Sequence, residues 1–218
     1  MLKTLKRITL LILKFLKKII LNPVIKLYTL FIGNIKWYYL QKNKVIKLEL
    51  GSGAKYGSNG WVTVDLSGSD INWDLRRGIP LKNESVDIIY SSHLLEHIPY
   101  KNLIPFLNEC SRVLKKDGEF SVCVPNIKNY INAYNSGEEF LNRENYWQKG
   151  YVDTNSKLDQ INYMAYMDGE HQYMFDEENL INTILKANFS SAKLRKYNKN
   201  IDLLGRDFES IYAVAYKK

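Results

Sequence analysis

The sequence predicts an α/β protein: a mostly parallel sheet with flanking helices, a shortened first crossover, a lid insertion, and amphipathic helices at the N-terminus. Three observations carry this expectation. Short apolar runs alternate with segments of helical periodicity from Val45 onward. The first run, Val45 to Leu50, ends in Gly51-Ser52-Gly53, and Asp65 closes the next run twelve positions after Gly53, too soon for a full crossover helix. The excess positive charge is confined to the first 44 residues.

That charge is read first. The 218 residues carry a net charge of +8, but residues 1–44 hold ten Lys or Arg and no acid, while 45–218 hold 21 basic and 23 acidic residues. The body is close to neutral, so no nucleic-acid partner is expected. In helical projection Lys3, Lys6, Arg7, Lys14, Lys17 and Lys18 share one sector, and Leu5, Ile8, Leu11, Ile12, Phe15, Leu16 and Ile19 the other. A spanning helix would place Lys14, Lys17 and Lys18 in hydrocarbon at about 2.5 to 3.5 kcal/mol each. Lying flat removes that cost and adds about 1 kcal/mol per basic residue near anionic lipid, so the segment reads as an interfacial helix at an anionic membrane surface. No small-residue cleavage site follows it. Asn22-Pro23 ends this helix, and Val24 to Leu40 continues apolar, with Tyr28, Phe31, Trp37, Tyr38 and Tyr39 suited either to a headgroup zone or to packing on the body.

The body, 45–218, follows as one domain. Trp61 to Asp65 is the second strand, an irregular stretch leads to Asp74, and Val86 to Ser91 is a buried strand. Lys101 to Lys116 is a helix with Leu103, Phe106, Leu107, Cys110, Val113 and Leu114 on its apolar face, closed by Asp117-Gly118. Glu119 to Val124 is a strand stopped by Pro125. A helix from about Asp176 to Ala187, a strand near Ala192 to Tyr197 and a last, antiparallel strand from Ile211 to Tyr216 complete the pattern. Cys110 and Cys123 lie in apolar segments and read as buried thiols in a reducing compartment. Residues 126–173 hold seven tyrosines, and a connection that long reads as a partly helical lid over an acceptor or as an insertion with its own small core.

The glycine turn and the acid after it outline a nucleotide-type pocket: glycine lets backbone approach a ligand, and a carboxylate at a strand end can accept hydrogen bonds from a ribose diol. A dinucleotide site would want a third glycine and a helix aimed at pyrophosphate; here both are missing. The stretches LELGSG (48–53), GWVTVDL (60–66), WDLRRGIPL (73–81), SVDIIYSSHLLEHI (85–98) and RVLKKDGEF (112–120) resemble the class I S-adenosylmethionine-dependent methyltransferases, of the bacterial type found with surface-polysaccharide biosynthesis. The resemblance covers Val45 to about Asn126 closely. It implies a Rossmann-like fold and S-adenosyl-L-methionine as cofactor. Glu49, Gly51, Ser52 and Gly53 would hold its methionine end, Asp65 with Leu66 its ribose, Asp74 with Leu75 its adenine, and Ser91, Ser92 and His93 would line the methyl-transfer site. Lys55 stands where many such proteins have glycine.

Candidate catalytic residues follow. Methyl transfer is in-line displacement, so alignment supplies much of the catalysis, but a hydroxyl acceptor must also lose a proton. His171, where the insertion returns to the sheet, is the expected base, oriented by Glu170 or Asp168, with a backbone-bonded hinge histidine as the alternative. His93 borders the cofactor, and His97 reads as a structural histidine beneath the pocket. HLLEH (93–97) also matches the H-x-x-E-H pattern of inverted zinc peptidases, but that pattern needs a sustained helix, and here it follows a strand and meets Pro99, so no metal is expected. The expected activity is O-methylation of a glycan or lipid-linked sugar at the cytoplasmic membrane face. Methylation of a small metabolite or lipid headgroup, and a non-catalytic S-adenosylmethionine-binding membrane adaptor, are the alternatives.

Overall fold

The computed structural model of the protein describes residues 22–141 and 154–217. The helix expected over the first 21 residues, and Tyr146, Trp147 and Tyr151 of the expected lid, lie outside them. Helix α1 (Asn22–Leu40) leads into a seven-stranded sheet of β1 (Lys47–Leu50), β2 (Trp61–Asp65), β3 (Ile71–Asn72), β4 (Val86–Ser92), β5 (Leu114–Pro125), β6 (Ser191–Leu194) and β7 (Ser210–Tyr216). Helices α2 (Tyr100–Val113), α3 (Ile127–Ser136), α4 (Leu158–Tyr166) and α5 (Glu177–Leu185) connect them. The strand order is β3-β2-β1-β4-β5-β7-β6. The first five are parallel, and β7 runs antiparallel to both β5 and β6, as the late-strand expectation required.

No helix occupies 51–60, which confirms the shortened crossover. Because β2 and β4 flank β1 on opposite sides, the order reverses there, and a crevice opens past the carboxyl ends of β1 and β4. One face of the central strands is apolar and fully inaccessible, with Leu48, Leu50, Val64, Ile89, Val122 and Val124, and the other is closed over β2, β4 and β5 by the buried Thr63, Tyr90, Ser121 and Cys123. The apolar face of α2 is the predicted one, with Leu103, Phe106, Leu107, Cys110 and Val113 all buried. Both cysteines are free and buried.

The structure moves one boundary. Helix α2 ends at Val113, and Leu114 is already extended and paired with Val86. The next partners are Ile88 and Glu119, so five residues of β5 span what two residues of β4 span. Asp117-Gly118 is therefore not a helix C-cap but the crest of a bulge, with Asp117 in the left-handed region at φ 61°. Leu114 is buried by the strand face it joins, which is why helical periodicity also accommodates it.

Helix α1 divides into two halves. Its C-terminal half packs on the sheet edge: Gly33, Trp37 and Leu40 are buried, Trp37 meets Trp73 edge to face, and the Lys36 ammonium donates to the Asp70 carbonyl. Trp37 is thus core rather than headgroup-facing. In the N-terminal half Val24, Ile25, Leu27, Tyr28 and Phe31 are exposed. Among the described residues no helix is long and apolar enough to cross a membrane.

The described part of the insertion is helical and builds a satellite core of Ile127, Tyr130, Leu141, Tyr163 and Met164. Tyr130 and Tyr163 serve that core rather than offering their faces to a ligand, while Tyr134 and Tyr166 lie exposed.

Candidate active site

One cavity of about 860 Å³ sits at the crevice, within the range of small-ligand sites and larger than one nucleoside with an amino-acid tail requires. Ten of the eleven residues predicted to contact a cofactor line it: Glu49, Gly51, Ser52, Gly53, Asp65, Leu66, Asp74, Leu75, Ser92 and His93. The eleventh, Ser91, does not. It is fully buried, and its hydroxyl has no hydrogen-bond partner among the described residues. Strand alternation explains the correction, because Ser91 and Ser92 point to opposite faces and only Ser92 reaches the cavity.

Each part of the wall has a local cause. Gly51 has φ 71°, and a Cβ there would lie 2.7 Å from Leu94, so this turn needs the absent side chain twice over. Asp65 accepts Gly53 N–H at 2.8 Å on one oxygen and Leu66 N–H at 2.6 Å on the other. Each oxygen keeps a second lone pair, so the carboxylate can brace the turn and still receive a diol. Glu49 pairs with Lys55 at 2.6 Å. The departure at Lys55 thereby gains a physical reading: an ammonium beside a carboxylate matches the carboxylate and ammonium of an amino-acid tail. Asp74 caps the turn 75–77 and is gripped by Arg76 through two 2.8 Å bonds, and the Arg76 guanidinium holds its carboxyl below the usual range.

His93 sits at φ 51°, in the left-handed region that side-chain-bearing residues seldom adopt, and its Nε2 meets Ser210 Oγ at 2.9 Å. Its Nδ1 lies 3.7 Å from Glu96 Oε1. Burial lowers the pKa of His93 to about 3 and raises that of Glu96 to about 8. Two neutral groups therefore face each other near neutral pH, and 3.7 Å is too long for a hydrogen bond.

The structure also corrects the expected base. His171 is 7% exposed and does not line the large cavity. Its Nδ1 is held 2.5 Å from the Met164 carbonyl, and its ring meets His97 edge to face with centroids 4.8 Å apart. His97 takes the cavity-side position instead, with Nδ1 3.0 Å from the Glu170 carbonyl. Burial lowers the pKa of both rings. Leu95–His97 is a single 3-10 turn, so the zinc-peptidase helix is not present.

Sequence reasoning missed Arg206, Leu203 and Gln172, which complete the wall. The 3-10 turn 204–209 carries Arg206, and the Arg206 carbonyl accepts from the same Ser210 hydroxyl that meets His93. No spacing in the sequence marks that convergence, because it arises from the antiparallel return of β7.

Residues 51–122 match a family model described as a methyltransferase domain. Residues 51–122 therefore carry a methyltransferase domain. No curated protein matches the sequence. Among solved structures, a Thermotoga maritima S-adenosylmethionine-dependent methyltransferase is 16% identical at TM-score 0.48, over 94% of this chain and 99% of its own. A second such enzyme, from Archaeoglobus fulgidus, is 14% identical at TM-score 0.48, over 87% and 94%. A Bordetella parapertussis protein described as a possible exported protein is 11% identical at TM-score 0.44, over 85% and 66%. All three scores lie below 0.5, and the domain match over residues 51–122 carries the assignment.

Proposed function

We propose that this methyltransferase O-methylates a hydroxyl of a glycan or lipid-linked sugar at the cytoplasmic face of a membrane. The observation that carries this reading is that one cavity joins the cofactor residues to a second, polar wall built by Glu170, Gln172 and Arg206. Carboxylate and carboxamide groups suit a polyhydroxylated acceptor, and a guanidinium suits the phosphate of a lipid-linked sugar. When bound, S-adenosylmethionine supplies a methyl carbon on a sulfonium sulfur that leaves with the bonding pair. Gly51 and Gly53 admit the methionine end to the backbone, Glu49 and Lys55 meet its charges, and Asp65 accepts from the ribose. Glu170, exposed on the cavity rim, takes over the role expected of His171 and receives the acceptor's proton. The exposed apolar start of α1, continuous with the basic first 21 residues, supports membrane association.

The test is a screen of the full chain with S-adenosylmethionine against sugar nucleotides, lipid-linked sugars, oligosaccharides and small amines, with the product located by mass spectrometry. A methyl ether on the lipid-linked sugar is expected, and Glu170→Gln should lower turnover by about 10² to 10⁴ with cofactor affinity unchanged. Transfer only to amines would replace this reading with small-metabolite methylation. Tight cofactor binding with no transfer would favour the adaptor.

A further inference from the structure

Glu96 is 2% exposed, and neither of its carboxylate oxygens has a hydrogen-bond partner among the described residues. A buried carboxyl group left this way costs free energy unless something receives its lone pairs. Besides His93, two further histidines face it. His97 and His171 each place Nδ1 against a backbone carbonyl, Glu170 and Met164 respectively, so Nδ1 must donate and Nε2 keeps its lone pair. Metal-ligating histidines are held in this way, with the outer N–H on a carbonyl and the inner nitrogen free. One ligand atom from each of Glu96, His97 and His171 lies within 4.8 Å of the others. Glu96 and His171 also border a small void of about 10 Å³, of the size that holds one water or ion.

From these contacts we infer that Glu96, His97 and His171 form a binding site for a divalent transition-metal ion at the wall of the cavity. Two imidazoles and one carboxylate suit Zn²⁺ or Fe²⁺, whereas Mg²⁺ and Ca²⁺ favour oxygen ligands throughout. Zinc bonds of about 2.0 to 2.2 Å put ligand atoms about 3.3 to 3.5 Å apart, so the side chains close by about an ångström on the ion. Arg206 and Glu209, the charges that act on Glu96, oppose each other in sign. His97 lines the large cavity as well, so the ion's open position faces the acceptor space. Its role rests on the hydroxyl-methylating reading above. It holds the acceptor oxygen and eases loss of its proton to Glu170, a carboxylate that is by itself a weak base toward an alcohol.

The test uses tag-free, full-length protein, stripped with a chelator and titrated with Zn²⁺ in competition with a chromophoric chelator. One equivalent per chain is expected, weakened at least about 100-fold in Glu96→Gln and in His171→Ala, since loss of outer partners alone costs 10- to 100-fold. S-adenosylhomocysteine calorimetry on the same samples should be unchanged. X-ray absorption of the zinc-loaded wild type should show imidazole nitrogens and a carboxylate oxygen, and it decides the matter if a variant fails to fold. Absence of zinc binding by wild type, undiminished affinity in folded variants, or a sulfur shell would each overturn the site. Cofactor binding without zinc binding would remove the ion and leave the methyltransferase; zinc binding without cofactor binding would do the reverse.

Discussion

Asp65 has two tasks that a single substitution can separate. It ties Gly53 and Leu66 to the end of β2 and presents free lone pairs to the cavity. Asp65→Ala should weaken S-adenosylhomocysteine binding by about 1.5 to 3 kcal/mol, the usual range for hydrogen bonds to a charged group, and should loosen the glycine turn. Calorimetry would measure the first effect and amide exchange at Gly53 the second; unchanged affinity would remove Asp65 from the cofactor site. Residues of this kind were readable because they sit at strand ends, where chain order fixes position. Ser91 and His171 were not. Whether Ser91 or Ser92 faces the crevice depends on strand parity, and whether His171 or His97 fronts the cavity depends on which ring the Met164 carbonyl captures. Arg206 was invisible, since only the return of β7 brings it to the wall.

At the scale of elements, the turn after β1 has no helix to stiffen it, and Asp70 supplies the rigidity. Burial opposes ionisation of Asp70, but the N–H groups of Thr63 and Gly57 and the Thr63 hydroxyl bond its carboxylate and together hold its pKa below the ordinary 3.8. Asp87, bonded by Lys115 and by Ile46 N–H against the same burial cost, is shifted in the same direction. A depressed folded-state pKa contributes stability that is complete above the unfolded value and is lost as pH falls through the folded one. Urea midpoints should therefore fall from neutral pH to about pH 3 in the wild type, and fall less in Asp70→Asn, which should also be less stable at neutral pH. Equal pH slopes in the two proteins would exclude Asp70 as a source of acid sensitivity. The parallel core and the shortened first crossover were legible because period and glycine placement report them. The α2 to β5 boundary was not, because Leu114 is apolar in both readings and only pairing with Val86 makes it strand.

For the whole molecule, charge and burial divide the chain at different places: the basic excess ends at residue 44, whereas burial begins within α1, at Gly33. The body is near neutral and closes around one sheet, with Trp37 and Leu40 of α1 built into its core. The start of α1 leaves Val24, Ile25, Leu27, Tyr28 and Phe31 exposed next to a segment rich in lysine. Exposed apolar side chains cluster at binding surfaces, and a basic flank selects anionic lipid over a neutral partner. Because Trp37 anchors the far half of the helix, the near half is carried rigidly by the catalytic body, which would hold the cavity at a set distance from the lipid surface. Deleting residues 1–21 should release the protein from anionic liposomes and leave S-adenosylhomocysteine affinity unchanged, since among the described residues the cavity draws on none before Glu49. Full-length protein should leave the same liposomes at high salt or in alkaline carbonate, because an interfacial helix is held by area and charge and not by insertion. Flotation of the vesicles would measure both. Retention of the truncated protein would move the contact to the exposed half of α1 alone, and resistance of the full chain to carbonate would require a segment that enters the bilayer.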